Sequence, residues 1–361
     1  MKVTLKDIAE IVNVSISTVS RVLNEEPSFI QDETHLRIIQ VAEDLGYRRL
    51  KKIEQKNRKI SEKQIGIVLN KMKDKYQDPY FSEVIYGIER ELLDQGYVLK
   101  FTYDSQDLEN VNFKEERQEG EFGVLCIGPM DNQLIERISK DVPYVLSVGG
   151  APELDIDYVT VNFQKSAKLG VQHLLNLEHR EIAFIGGGSV GSGIAMEYEP
   201  RYIGYMEALS SAGLSLFPEF IGNGFFTIRG GYQAMISILS QGKKPTALFT
   251  ASDQMAFGAY KAIQEHGLSI PDDIAVVSFD DIEMSQFVHP PLTTVRVHKE
   301  ELGRIGVKML IQRMEEQLHL PLTSYLSTKL IIRESCGSKL DQIERGDGKQ
   351  VYGNERTTGF R

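Results

Sequence analysis

TLKDIAEIVNVSISTVSRVLN, residues 4–24, carries two helix-start signals in one short segment. Ile8, Ala9 and Val12 repeat at helical spacing behind Thr4, a predicted N-cap, and Asp7 three residues later completes a weak capping-box pattern. After Asn13-Val14 a second start follows, with Ser15 as N-cap and Val19, Val22 and Leu23 on one face. So few residues separate the two helices that they must cross sharply, as in a helix-turn-helix. A third segment, Asp32 to Leu45, is expected to turn Leu36, Ile39, Val41, Ala42 and Leu45 toward a shared core, and Gly46 then ends it. Three short helices within residues 1–49 build a small core, suited to a DNA-reading head rather than a catalytic domain.

Ile16, Ser17, Ser20 and Arg21 lie away from the apolar stripe of the second helix. Small hydroxyl residues near a helix N-terminus let backbone approach phosphate, and an arginine can make a bidentate contact to guanine. The alternative for Arg21 is a solvated surface cation. Taken with ETHLRIIQVAEDLGY (33–47), the segment closely resembles the head of the lactose/galactose repressor family of bacterial transcription regulators, the run from Val14 to Asn24 above all. The resemblance implies that the helix beginning near Ile16 enters the major groove. On it, Ile16, Ser17 and Arg21 are base-reading positions and Thr18 and Ser20 contact the DNA backbone; Thr4, Leu5, Ser15 and Asn24 complete the set in the head.

The formal charge of −10 argues at first against nucleic acid, but its distribution reverses the reading. Residues 1–64 hold 12 Lys or Arg against 10 Asp or Glu, and the remainder 29 against 41. Arg48–Lys63 alone has eight basic residues against Glu54 and Glu62, so a basic head and neck attract phosphate that the acidic body repels. Residues 50–64 form the hinge. In the family this linker folds into a short helix on operator DNA and a leucine wedges into the minor groove. Here Lys56 stands where that leucine is expected, and a wedge must be apolar to replace base stacking. Leu50 or Ile53 serves instead, or the neck binds phosphates alone with steep salt dependence.

From residue 65 to 336, apolar runs alternate with helical stretches. IGIVL (65–69), YVLKFTY (97–103), GVLCI (123–127), PYVLSV (143–148), IAFIG (182–186), TALFT (246–250) and IAVVSF (274–279) are the expected strands. Tyr80–Gln95, Lys165–Leu177, Arg201–Ala212 and Gly231–Gln241 are expected helices. Such alternation predicts parallel sheets covered on both faces, and the length exceeds one core, so the fold class is a helix-turn-helix head plus a body of two doubly wound α/β lobes. The N-lobe is expected at about 65–161 and 291–320, the C-lobe at about 162–290 and 321–336, and ligand beyond the carboxyl ends of the strands between them. DPYFSEVIYGIERELLDQGY (78–97), HLLNLEHREIAFIGG (173–187), RYIGYMEAL (201–209), TALFTASDQMAFGAYKAI (246–263) and IPDDIAVVSFDDIEMSQFVHPPLTTVRV (270–297) resemble the same family's sensor domain, which is related to periplasmic sugar-binding proteins. Within the family, regulators of galactose and β-galactoside metabolism are the most similar.

Asp253 follows TALFT, Asp280 ends IAVVSF, and Arg201 begins a helix after a Gly-rich loop. Carboxylates and a guanidinium aimed into a cleft bind neighbouring sugar hydroxyls through charge-assisted hydrogen bonds. All three match effector-contacting positions of the family, with an N-cap role as the alternative for Asp253. Phe226 matches an aromatic that covers a sugar face, or else is core. Asp78 and Tyr80 are candidate contacts from the other lobe, and Asn162 stands where many relatives have aspartate.

Gly186, Gly188 and Gly191 fit the dinucleotide fingerprint, but a proper helix start and the later acidic residue are missing and Pro200 interrupts. The seven histidines do not pair at metal spacing, and His289 beside Pro290-Pro291 reads as a lobe crossover. No nucleophile elbow is present, and Cys126 and Cys336 are too few for a disulfide framework or zinc site, so neither cofactor nor enzyme activity is expected. Without a signal peptide or a run of about 18 apolar residues, a cytoplasmic protein free of membranes is expected. The polar tail, 337–361, lacks leucine heptads, which favours a homodimer. The expected function is a repressor of sugar-utilisation genes, binding double-stranded operator DNA under control of a small sugar such as galactose or a galactoside. A co-repressor-dependent regulator answering a purine or a partner protein is the main alternative; a sugar-modifying enzyme or sugar-binding transport protein is more remote.

Overall fold

A computed structural model describes residues 4–23, 32–45, 63–70, 78–118, 122–188, 196–316 and 319–338. The chain falls into two compact units, a head and a body, that part between Gln64 and Ile65.

The head holds α1 (Leu5–Val12), α2 (Ile16–Leu23) and α3 (Asp32–Asp44). The Thr4 amide and hydroxyl both donate to Asp7 Oδ2, at 2.7 and 2.8 Å, closing the capping box. Asn13 ends α1 with φ of 57°, a left-handed conformation that asparagine tolerates. Ile8, Ala9, Val12, Val19, Val22, Leu23, Ile38 and Ala42 form the core. One expectation is corrected here: Leu36 is 65% exposed and Ile38 is buried in its place. Ile38 and Ala42 share one helical face at a spacing of four, and Leu36 lies more than a right angle away around the axis.

In the body, one six-stranded sheet has the order β11-β5-β4-β3-β1-β2, from β1 (Gln64–Leu69), β2 (Val98–Asp104), β3 (Phe122–Ile127), β4 (Tyr144–Val148), β5 (Asp157–Val161) and β11 (Thr323–Leu326). The other has the order β12-β10-β9-β8-β6-β7, from β6 (Ile182–Gly186), β7 (Ile221–Asn223), β8 (Ala247–Thr250), β9 (Ala275–Asp280), β10 (Thr293–Arg296) and β12 (Lys329–Ile331). Strand periodicity explains why the apolar runs are continuous. Ile65, Ile67 and Leu69 pack with the helices Pro79–Asp94 and Lys299–Glu316, whereas Val68 points to the opposite layer with Phe113, Ile135 and Ile138.

Two lobe boundaries fall later than expected. β10 pairs parallel with β9, so residues 293–296 belong to the C-lobe and His289-Pro290-Pro291 is not a crossover. β11 pairs parallel with β5, so residues 323–326 belong to the N-lobe. The chain therefore crosses between β5 and the helix Phe163–Asn176, between β10 and the helix Lys299–Glu316, and between β11 and β12. β11 and β12 are short, half-polar edge strands and β10 lies just inside β12, and each joins its sheet through residues distant in sequence, which local patterning does not show.

The helices Pro79–Asp94 and Lys299–Glu316 touch backbone to backbone. A Cβ on Gly87 would lie 2.0 Å from the Glu300 carbonyl oxygen, and one on Gly303 2.2 Å from that of Val84. Gly87→Ala removes a helix-weakening glycine, worth about 1 kcal/mol in an open helix. Here overpacking prevails, and urea denaturation is expected to show a net loss of about 1–3 kcal/mol. A stabilised variant would mean the helices are not this close.

Candidate nucleic-acid interface and interlobe cleft

The reading helix is built by its own cap. Ser15 Oγ accepts the Thr18 amide at 3.0 Å and lies 2.7 Å from the hydroxyls of Ser17 and Thr18, so it organises the first turn. Val19, Val22 and Leu23 are buried against α1 and α3, which turns Ile16, Ser17 and Arg21 outward. Ile16 is 48% exposed, an apolar side chain left in water on a face that also carries hydroxyls and a guanidinium. Thr18 and Ser20 flank this face half-buried, Thr4 is exposed and Leu5 half-buried at the start of α1. Asn24 and Lys56 lie outside the described residues.

In the body, the strand ends at the two switch points supply the other site. Asp78 caps the helix Pro79–Asp94, its Oδ1 accepting the Tyr80 amide at 2.9 Å, and its Oδ2 accepts Gln254 Nε2 of the C-lobe at 3.2 Å. Tyr80 packs against both lobes' cores. Arg201 follows Pro200, which opens the helix Pro200–Ser211 rather than interrupting it. Its Nη1 donates to Glu199 Oε1 at 2.7 Å, and the guanidinium carbon sits 4.2, 4.8 and 5.5 Å from the ring centroids of Phe163, Phe279 and Phe226. Asp280 ends β9 at φ of 112°, where an L-residue is strained.

Tyr80 Oη, Arg201 Nε and Asp280 Oδ1 are buried with no hydrogen-bond partner. Native proteins rarely tolerate such orphans, because each costs about 1–3 kcal/mol or more when charged. Arg201 lies over the ring of Phe279, the residue before Asp280, and Tyr80 packs against the C-lobe core as well as its own. Burial drives the Asp280 carboxyl well above its usual range against the pull of Arg201. Burial, then Asp280, raise the Tyr80 hydroxyl, which stays protonated. A hydroxyl, a guanidinium N–H and a carboxyl oxygen are thus left unmatched where the two lobes meet.

The structure also places Asp253, Asn162 and Phe226. Asp253 is not an N-cap, a place taken by Ser252. Its carboxylate is fully buried and accepts the Ser285 hydroxyl at 2.6 Å, the Thr294 hydroxyl at 2.7 Å and the Ile282 amide at 2.9 Å, pinning the segment after β9. Asn162 Oδ1 accepts the Lys165 amide at 2.9 Å as the cap of its own helix. Phe226 is half-buried and lies over Gly187, where a Cβ would stand 2.1 Å from its ring. Sequence reasoning missed Gln254, Glu199 and Lys299. Gln254 directly follows Asp253, a signal that was available; the other two show only in three dimensions. Among the described residues there is no group able to hold a metal ion and no helix long and apolar enough to cross a membrane.

A helix-turn-helix head on a body with ligand-seeking groups between its lobes defines a ligand-responsive DNA-binding regulator. Residues 4–49 match the bacterial regulatory proteins of the lacI family, and residues 171–336 the periplasmic binding protein-like domain. The chain is similar to the HTH-type transcriptional repressor MelR of Bacillus subtilis (strain 168), 35% identical over 355 residues that cover 94% of this chain and 99% of that one. It is also similar to the HTH-type transcriptional repressor PurR of Histophilus somni (strain 129Pt), 31% identical with 92% and 98% covered. The solved lac repressor dimer bound to operator and the anti-inducer ONPF aligns with a TM-score of 0.69 at 26% identity, covering 93% and 99%. The chain belongs to the lacI family: it is a DNA-binding transcriptional repressor, not an enzyme.

Proposed function

We propose that this repressor works as a homodimer whose heads read the half-sites of a pseudo-palindromic operator, and that a small uncharged sugar, galactose or a galactoside, binds between the lobes and changes operator affinity. The observation that carries the effector reading is that Tyr80 Oη, Arg201 Nε and Asp280 Oδ1 are all buried and unpartnered. One acceptor, one donor and one group that is both suit neighbouring sugar hydroxyls, each of which donates and accepts. An anionic sugar phosphate suits the cleft poorly. Arg201 is already paired with Glu199, and Asp78 and Asp280 add negative potential. The solved lac repressor, which this chain resembles, is a dimer on its operator, and that supports the dimer.

Operator affinity measured by fluorescence anisotropy, with and without galactose, melibiose and methyl β-galactoside, tests the reading. Coupling of about 1–3 kcal/mol, or about 5- to 150-fold, is expected for at least one of them, with a matching rise in melting temperature. No change for any sugar removes the sensor half, and a purine that tightens operator binding would put a co-repressor in the sugar's place.

A further inference from the structure

Lys299 opens the helix Lys299–Glu316 just after the chain passes from the C-lobe to the N-lobe, and its side chain is only 2% exposed. A buried ammonium is tolerated only when it is paired and hydrogen-bonded. Its Nζ donates to the carbonyl oxygens of Asp280 at 2.9 Å and Asp281 at 3.1 Å, and lies 3.3 Å from Glu83 Oε2. The carbonyls belong to the C-lobe, at the strained end of β9. Glu83 belongs to the N-lobe helix Pro79–Asp94, one turn beyond Tyr80 and close to the cap Asp78. A single cation therefore touches both lobes.

We propose that Lys299 is a positioning residue for the effector site: by gripping the peptides around Asp280 while paired with Glu83, it ties the aim of the Asp280 carboxylate to the seating of the helix that carries Asp78 and Tyr80. The inference rests on the reading that the effector occupies the interlobe cleft. A shift of either lobe stretches the Glu83–Lys299 pair. Lys299 cannot follow Glu83 freely, because leaving the two carbonyls would strand its charge in the interior. Movement at one wall is thus transmitted to the other through a contact that no ligand needs to touch.

Amide hydrogen exchange on the ligand-free full chain, comparing wild type with Glu83→Gln, Lys299→Met and the double variant, tests this without any effector. Each single change is expected to speed exchange both at Asp281–Ile282 and at Tyr80–Ser82, and the double variant to exchange no faster than Lys299→Met alone. In sugar titrations Glu83→Gln is expected to weaken effector affinity by about threefold to tenfold, a loss the Lys299→Met background no longer shows. Glu83→Gln takes the counter-charge from a buried ammonium and is expected to melt lower, so the discriminating readout is a loss of effector affinity beside an unchanged effector-free operator affinity, which a merely structural pair would lower as well. Unchanged exchange in the ligand-free protein, or strictly additive losses, overturns the proposal. Altered exchange in a protein that answers no sugar sustains the Lys299 link and overturns the sugar reading alone.

Discussion

Arg21→Ala is expected to lower operator affinity by about 5- to 150-fold while leaving the head folded, since a bidentate base contact is worth about 1–3 kcal/mol. Arg21 is exposed on α2, whose burial depends on Val19, Val22 and Leu23, so thermal melting should not register its loss. Binding to an unrelated duplex separates the two possible contacts. A base-reading arginine contributes little there, so operator affinity falls further than nonspecific affinity and discrimination narrows. A phosphate-binding arginine lowers both equally and reduces the salt slope by about one. Equal losses would leave Ile16 and Ser17 as the readers on that face and remove Arg21 from the specific set.

The head was legible because its determinants are local. Thr4 with Asp7 and Ser15 with Thr18 act within one helical turn, and apolar spacing places most of the core. Even so, Leu36 and Ile38 were exchanged, because α3 carries more apolar residues than its buried face holds. In the body, fully buried strands such as β3, β4 and β9 announce themselves as unbroken apolar runs. β10, β11 and β12 do not, since which sheet each joins depends on crossovers far from it in sequence. The cleft follows the same division. That a polar residue ends a strand is visible in the sequence for Asp280, whereas Arg201 opens a helix after a Gly-rich loop and Tyr80 follows the first strand at a distance. Whether a residue's polar atoms are already taken is a matter of tertiary packing. Asp253 is satisfied by Ser285, Thr294 and Ile282, whereas Asp280 keeps an oxygen unmatched.

That unmatched oxygen sets stability against function, and Asp280→Asn is expected to move the two in opposite directions. The carboxylate is 6% exposed, its backbone is strained, and burial raises it well above the ordinary carboxyl range. A nearly isosteric amide removes the buried charge, so the ligand-free body should gain about 1–3 kcal/mol and melt higher by about 2–4 °C for each kcal/mol. The pH dependence fixes the sign. An acid whose folded value lies above its unfolded value, about 4, favours the native state most at low pH and loses that contribution as pH rises through the folded value. The asparagine variant lacks this loss, so its advantage widens from about pH 4 upward. Sugar affinity goes the other way. Hydrogen bonds to a charged group contribute about 1.5–3 kcal/mol, so the galactoside response should weaken by about 10- to 150-fold while effector-free operator binding is unchanged. Differential scanning calorimetry across pH and a galactoside titration of operator binding check both halves. A variant that melts lower and still answers the sugar would make Asp280 a structural anchor, and a strained, buried, unpartnered carboxylate would then have no ligand to account for it.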